Sequence, residues 1–288
     1  MERFYEFAGV SIVICIPDAV MCEEDGRLAP FRCDAVTEPH RFVFEPVERL
    51  SAPEGACIVA EPALQVYEAG DVTVRSIGSV QRGWENGYIR VENRGREHRV
   101  ELKASAFPTG VGSKTVLNSL AAEHLVAQNS GIVFHSSFVE YNEKGILFSA
   151  PSGTGKSTQA DLWQKYRGAG IINGDRSAIR VTEGGIVAYG TPFAGSSNIC
   201  LKKTLPLAAV VYLKQAPQNR IRRLAGAEAF CRIWEGCSVN TWDKADVAAV
   251  SATVQQVIGA VPVFELACTP DEMAVKTLEE ACKQEGIL

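Results

Sequence analysis

Ten residues in the middle of the chain, Ser149-Ala150-Pro151-Ser152-Gly153-Thr154-Gly155-Lys156-Ser157-Thr158, restrict the fold more than any other stretch. An apolar run, Ile146-Leu147-Phe148, stands directly before them, and an amphipathic helical pattern to about Arg167 follows. A strand, a glycine-rich loop and a helix in that order match the Walker A pattern, with Ala150 at the first glycine position. The residue types have a chemical logic. Gly153 and Gly155 let main-chain N–H groups turn inward without a Cβ in the way, and the following helix N-terminus adds its positive dipole end. Lys156 supplies a point charge for β- and γ-phosphates, and the Ser157 hydroxyl is a hard oxygen ligand suited to Mg²⁺. Residues Ser152, Gly153, Thr154, Gly155, Lys156, Ser157 and Thr158 are therefore the expected nucleotide-binding set.

A second element is Ile171-Ile172-Asn173-Gly174-Asp175. A helix over Lys156 to Arg167 carries the chain about 18 Å from the loop at 1.5 Å per residue. A strand returning over Gly170 to Asp175 spans about 16 Å at 3.3 Å per residue. The crossover is expected to make the two strands parallel with their C-terminal ends at one edge of the sheet, which brings Asp175 back to the level of Lys156. A carboxylate there can hold Mg²⁺, directly or through water, or take a proton from an attacking hydroxyl. The lesser alternative is a plain turn aspartate beside Gly174. His135, in Phe134-His135-Ser136-Ser137, lies between two strand-like runs ahead of the loop. Its imidazole can orient an acceptor or contact phosphate, or be a structural histidine.

The remainder of the chain frames these elements. Residues 1–112 are expected to form a β-rich domain. Strands are expected at Phe4 to Cys15, Arg41 to Val47, Leu64 to Tyr67, Val72 to Ile77, Tyr88 to Glu92 and His98 to Lys103, with a turn at Glu85-Asn86-Gly87 among others. Phe107 to Ser113 is the expected linker, and a helix over Lys114 to Gln128 opens the second domain, 113–288. There, strands are expected at Ile132 to Phe134, Phe138 to Tyr141, Ile171-Ile172, Ala178 to Val181, Ile186 to Tyr189, Leu207 to Leu213 and Val261 to Leu266. Helices are expected at Ala227 to Trp234 and Asp243 to Ile258, with a last one capped by Thr269. The chain carries 29 Lys and Arg against 34 Asp and Glu, a formal charge of -5, which argues against general nucleic-acid binding. Its apolar runs are about seven residues long, far short of the about 20 that cross a bilayer. No signal peptide is expected, and nine cysteines without a C-x-x-C pair fit free, mostly buried thiols in a reducing cytoplasm. The histidines and cysteines show no zinc-ligand spacing, and His124 is expected to be structural.

Taken together, His135-Ser136-Ser137, the apolar strand, Ser152 to Ser157 and Asn173-Gly174-Asp175 resemble the catalytic domain of HPr kinase/phosphorylase. That domain shares one P-loop fold with ATP-dependent phosphoenolpyruvate carboxykinases. The resemblance spans roughly residues 113 to 270. It implies an α/β P-loop kinase domain behind the β-rich one, ATP and Mg²⁺ as cofactors, and transfer of the γ-phosphate to a hydroxyl. Lys156, Asp175 and His135 would be catalytic, and Ser157 and Asp175 would hold the metal. The family has an acidic pair where this chain has Gly174-Asp175, and Tyr189 to Asn198 replaces its further acidic segment. The chain thus looks closer to divergent relatives that phosphorylate a serine of a peptide, a protein or a small molecule. The family also implies a homo-oligomer; the charge balance and the short apolar runs make nucleic-acid and membrane partners unexpected. Two other readings stay open. One is a nucleotide-binding regulatory or partner-binding protein with little catalysis; the other is a nucleotide monophosphate kinase or ATPase.

Overall fold

The computed structural model describes residues 1–21, 24–79 and 84–288. Two compact units emerge from the internal contacts. The first holds Met1–Glu6 and Val10–Ala121, the second Phe7–Gly9 and Ala122–Leu288. At a coarse level the chain pairs a β-rich unit with an α/β one. The division falls after Ala121, so the short helix α1 (Ser113–Ser119) belongs with the first unit.

The first unit is built on one sheet of nine strands: β1 (Glu2–Phe7), β2 (Val10–Cys15), β3 (Arg32–Cys33), β4 (His40–Val47), β5 (Ala56–Glu61), β6 (Leu64–Ala69), β7 (Val72–Ser79), β8 (Trp84–Arg94) and β9 (Glu97–Lys103). Their order is β3-β1-β2-β4-β9-β8-β7-β6-β5. Period-two alternation explains the packing: His40, Phe42 and Phe44 of β4 are buried, while Arg41, Val43 and Glu45 between them are only partly so. The stretch Phe4 to Cys15 is two strands, because Ala8 and Gly9 both take positive φ and reverse the chain. Glu85-Asn86-Gly87 is not a turn; it lies inside β8. Gly87, at φ +89°, sits across from a register shift between Ile77 and Ser79. Any Cβ there would come within 2.3 Å of the Ser76 hydroxyl oxygen.

The helix expected over Lys114 to Gln128 is broken in two, α1 and α2 (Ala122–Ala127). Ala121, at φ +48°, interrupts the helical ladder between them. The apolar stripe is nonetheless buried at every expected position: Val116, Leu117, Leu120, Leu125 and Val126.

The second unit contains β10 (Gly131–Tyr141), β11 (Lys144–Ser149), α3 (Lys156–Arg167), β12 (Gly170–Asn173), β13 (Arg176–Thr182), β14 (Gly185–Gly190), β15 (Thr204–Gln215), β16 (Arg220–Leu224), α4 (Gly226–Trp234), β17 (Cys237–Ser238), α5 (Lys244–Ala260), β18 (Val263–Cys268) and α6 (Glu272–Gln284). The two strands expected around His135 are one continuous strand, β10. It changes partners instead of breaking: Gly131 to His135 pair with β13, and Ser136 to Tyr141 pair with β11. The polar residues at the changeover stay extended because they are bonded. Ser136 and Ser137 are fully buried, and the Ser136 hydroxyl donates to that of Ser177 at 3.2 Å. The long strand β15 is shared in the same way, pairing with β14 at its start and with β11 and β18 beyond.

Alternation along β11 distributes its side chains to opposite faces. Ile146 and Phe148 pack with Ala160 and Trp163 of α3 and with Val275 and Leu278 of α6. Leu147 packs with Phe138, Ile172 and the α5 residues Val250 and Val254. Strands β11, β15 and β18 are mutually parallel neighbours. Strand β12 runs in the same direction as β11, but β10 lies between them, antiparallel to both. The last helix starts at Glu272 and is capped by Asp271, not Thr269. The Asp271 carboxylate accepts from Ala274 N, while the Thr269 hydroxyl donates to that carboxylate at 2.6 Å. Among the described residues no helix is long and apolar enough to cross a membrane, and the eight described cysteines are free thiols, of which only Cys200 and Cys282 are buried, not most of them as expected.

Candidate functional site

The parallel strands β11, β15 and β18 deliver their C-terminal ends to one edge of the sheet, where open α/β sheets usually hold ligands. The loop after β11 lies at that edge. Gly153 and Gly155 have φ of +79° and +119°. A Cβ on Gly153 would meet nothing within 4 Å, so conformation, not crowding, demands glycine there. The helix α3 begins at Lys156, and its first ladder bond runs from Gln159 N to Gly155 O at 2.9 Å. An α-helix leaves its first N–H groups without intrahelical partners. At α5 and α6 an aspartate side chain accepts from them, but at α3 no side chain does. That end of α3 keeps its positive dipole end and its donors available to an anion.

Lys156 is buried, and its ammonium donates to the Ala150 carbonyl at 3.0 Å. Burial lowers its pKa, and the Asp175 charge works in the opposite direction. Ser152, Gly153, Ser157 and Thr158 are exposed, and Thr154 and Gly155 partly so.

His135 and Asp175 meet at the same edge. Ser136 is paired across from Ser149, and the Ser149 hydroxyl donates to the His135 carbonyl at 3.0 Å, so the base of the loop is tied to the residue that carries the imidazole. Ser136 N donates to the Asp175 carbonyl at 2.9 Å. Between the side chains, His135 Nε2 lies 3.5 Å from Asp175 Oδ1, with both groups about one-third exposed. The His135 ring N–H, opposed by burial and helped by Arg176, lowers the Asp175 pKa. The carboxylate is ionised at neutral pH and faces a cation on either side, Arg176 and Lys156.

Asn173 fixes this turn. Its side-chain oxygen accepts from the N–H groups of Asp175 and Arg176 at 2.8 and 2.9 Å, and its amide donates to the Thr191 carbonyl at 2.9 Å. The segment from Thr191 to Cys200 packs directly on it. A Cβ at Gly174 would fall 2.0 Å from the Ser197 hydroxyl oxygen, and one at Gly195 would fall 2.9 Å from Asp175 Cβ. No acidic side chain fits at 174 while Ser197 occupies that space.

Several lining residues lie outside the sequence-derived set. A cavity of about 610 Å³ opens beside the loop, bounded by Gly153 to Gly155 and Thr158, by Gln159, by Leu213, Gln215 and Ala216 around the end of β15, and by Cys268, Thr269 and Pro270 around the end of β18. Gly236 was also missed. Its carbonyl accepts from His135 N at 2.8 Å, and a Cβ there would strike the Phe134 ring at 2.5 Å. A glycine two residues past a helical stretch was the available signal, but it reads as an ordinary helix end.

A second group of possible metal ligands lies elsewhere in the unit. His124, Asp243 and Asp246 bring their ligand atoms within 4.8 Å of one another. Each is already committed. His124 Nδ1 is 2.8 Å from Asp246 Oδ1, Asn240 donates to Asp246 Oδ2 at 2.9 Å, and Asp243 caps α5. Sequence spacing could not show it, because α2 supplies the histidine and the start of α5 the carboxylates.

No protein-family model matches the chain. No curated protein is significantly similar to it. Among solved structures, the HPr(Ser) kinase/phosphatase from Coxiella burnetii is similar at 10% identity, over 53% of this chain and 97% of that one, with a TM-score of 0.33. This is a distant structural likeness and does not establish a family.

Proposed function

We propose that the chain is an ATP- and Mg²⁺-dependent kinase that transfers the γ-phosphate to a hydroxyl, a serine of a peptide, a protein or a small molecule. The observation that carries this reading is the convergence on one sheet edge of an uncapped helix N-terminus, a buried lysine and an ionised aspartate beside a histidine. In the proposed complex Ser152 to Thr158 cradle the phosphates, and Lys156 offsets the negative charge on the transferring group. The acceptor oxygen forms a bond to the γ-phosphorus, the bond to the β–γ bridging oxygen breaks, and ADP leaves. The acceptor's proton passes to Asp175. His135 orients that carboxylate through its ring N–H. The exposed Ser157 hydroxyl and the Asp175 carboxylate are hard oxygen donors that fit Mg²⁺ and would hold it, directly or through water; the ion would supply charge neutralisation of the phosphates.

The test is incubation of the full chain with γ-labelled ATP, Mg²⁺ and a panel of serine, serine peptides and HPr. Label is expected on at least one acceptor with wild type and on none with Lys156→Ala. Equal, background labelling in both would remove the kinase reading.

One observation favours a second reading, a nucleotide-binding regulator with little turnover: Ser197 and Gly195 pack against the Gly174-Asp175 turn where an acceptor would have to approach. If Asp175→Asn retains full biological activity and nucleotide affinity, this reading replaces the first.

A further inference from the structure

The cavity beside the loop has a polar group with nothing to bond. Gln159 is 97% buried in effect, with a relative exposure of 3%, and its side-chain nitrogen donates to Cys268 Sγ at 3.3 Å. Its oxygen, Oε1, is buried and has no hydrogen-bond partner. Buried acceptors of this kind are rare, and each calls for an explanation. Gln159 lines the cavity, whose volume of about 610 Å³ falls in the range of small-molecule sites. Two other polar side chains of the lining are bonded elsewhere. The Gln215 amide donates to the Thr154 carbonyl at 3.3 Å, and the Thr269 hydroxyl donates to Asp271 and accepts from Asn219. Leu213, Ala216 and Pro270 make the rest of that wall apolar. The bond to Cys268 commits the Gln159 nitrogen, which leaves the side-chain oxygen as its group open to a ligand.

We propose that Gln159 reads the base of a bound purine nucleotide, its side-chain oxygen accepting a hydrogen bond from the exocyclic amine of adenine. This rests on the reading of Ser152 to Thr158 as the triphosphate loop. With phosphates on the loop, the apolar side chains of Leu213, Ala216 and Pro270 in the same cavity offer a surface for a flat ring. Adenine offers a donor amine at its 6-position, whereas guanine and hypoxanthine present a carbonyl there, setting acceptor against acceptor. Gln159 is thus a specificity-determining residue that accounts for the orphan oxygen.

Calorimetry on the full chain with Mg²⁺ tests this with four probes: ATP, the triphosphate of purine riboside (which lacks the 6-amine), ITP and inorganic triphosphate. Wild type is expected to bind ATP about tenfold more tightly than the desamino analogue, with ITP weaker still. Gln159→Met, a near-isosteric apolar change, is expected to bring ATP down to the level of the desamino analogue while leaving inorganic triphosphate unchanged. Equal affinity of wild type for ATP and the desamino analogue overturns the inference without any variant having to fold, as does a Gln159→Met protein that keeps the preference. In either case, if inorganic triphosphate still binds, the loop reading stands. If neither triphosphate nor any nucleotide binds wild type, the loop reading falls and the base-reading role with it.

Discussion

The α/β unit contains two histidine–aspartate pairs made of the same residue types in different states. His124 and Asp246 are 2.8 Å apart, the aspartate is almost fully buried, and Asn240 bonds its other oxygen. His135 and Asp175 are 3.5 Å apart and each about one-third exposed, with a buried lysine in electrostatic range and a cavity alongside the loop. The first pair is satisfied internally and ties α2 to the start of α5. The second is incompletely satisfied and sits where an uncapped helix begins. Satisfied polar groups hold a fold together, whereas groups left short of partners at a sheet edge are the ones available to a ligand.

The sharpest test of that contrast is at the lysine. Lys156→Ala is expected to lower phosphate transfer on the order of 10²–10³-fold, with the thermal midpoint little changed, measured by labelled transfer and calorimetry. Next, Asp175→Asn should cost about 10²-fold or more in kcat while nucleotide affinity stays within a few-fold, because the amide cannot take the acceptor's proton. The opposite pattern is expected at the other pair. Asp246→Ala leaves His124 and Asn240 without their partner and should lower unfolding stability by about 1–3 kcal/mol in a denaturant titration, with transfer per folded molecule unchanged. Loss of transfer at full stability in that variant would erase the distinction between the pairs.

The smallest effect is a pH dependence. The hydrogen bond to Asp246 raises the pKa of His124. A raised folded-state pKa gives stability that is complete below the unfolded value of about 6.5 and disappears as the pH climbs through the folded one. The stability difference between wild type and His124→Gln should therefore shrink from about pH 6 toward alkaline pH. Asp175 has the opposite sign. Its pKa is lowered, so its contribution is present above the ordinary carboxylate range and is lost only as the pH falls through the lowered value.

Much of the frame was legible in the residues. Ile146-Leu147-Phe148 forms the core of a strand, Leu207 to Leu213 lie within another, and the helices expected at Ala227 to Trp234 and Asp243 to Ile258 are α4 and α5. Errors arose where local chemistry was overruled. Glu85-Asn86-Gly87 has turn composition but lies in a strand, its glycine sitting across from a register shift in β7. His135-Ser136-Ser137 looks like a break because it is polar, yet strand exchange keeps it extended. Thr269 has the composition of a cap, but the carboxylate two residues on takes the position.

The order and type of residues from 146 to 175 determined that a strand, a glycine-bearing loop, a helix and a returning strand would follow one another, since each depends on interactions between near neighbours. Whether Asp175 met His135, which side chain filled the space over Gly174, and which glutamine was left with an unpaired oxygen depended on segments far apart in the chain. Only packing decides those, because a hydrogen bond or a steric contact over a few ångströms is fixed by where the sheet and its loops bring the atoms, and no local spacing records it.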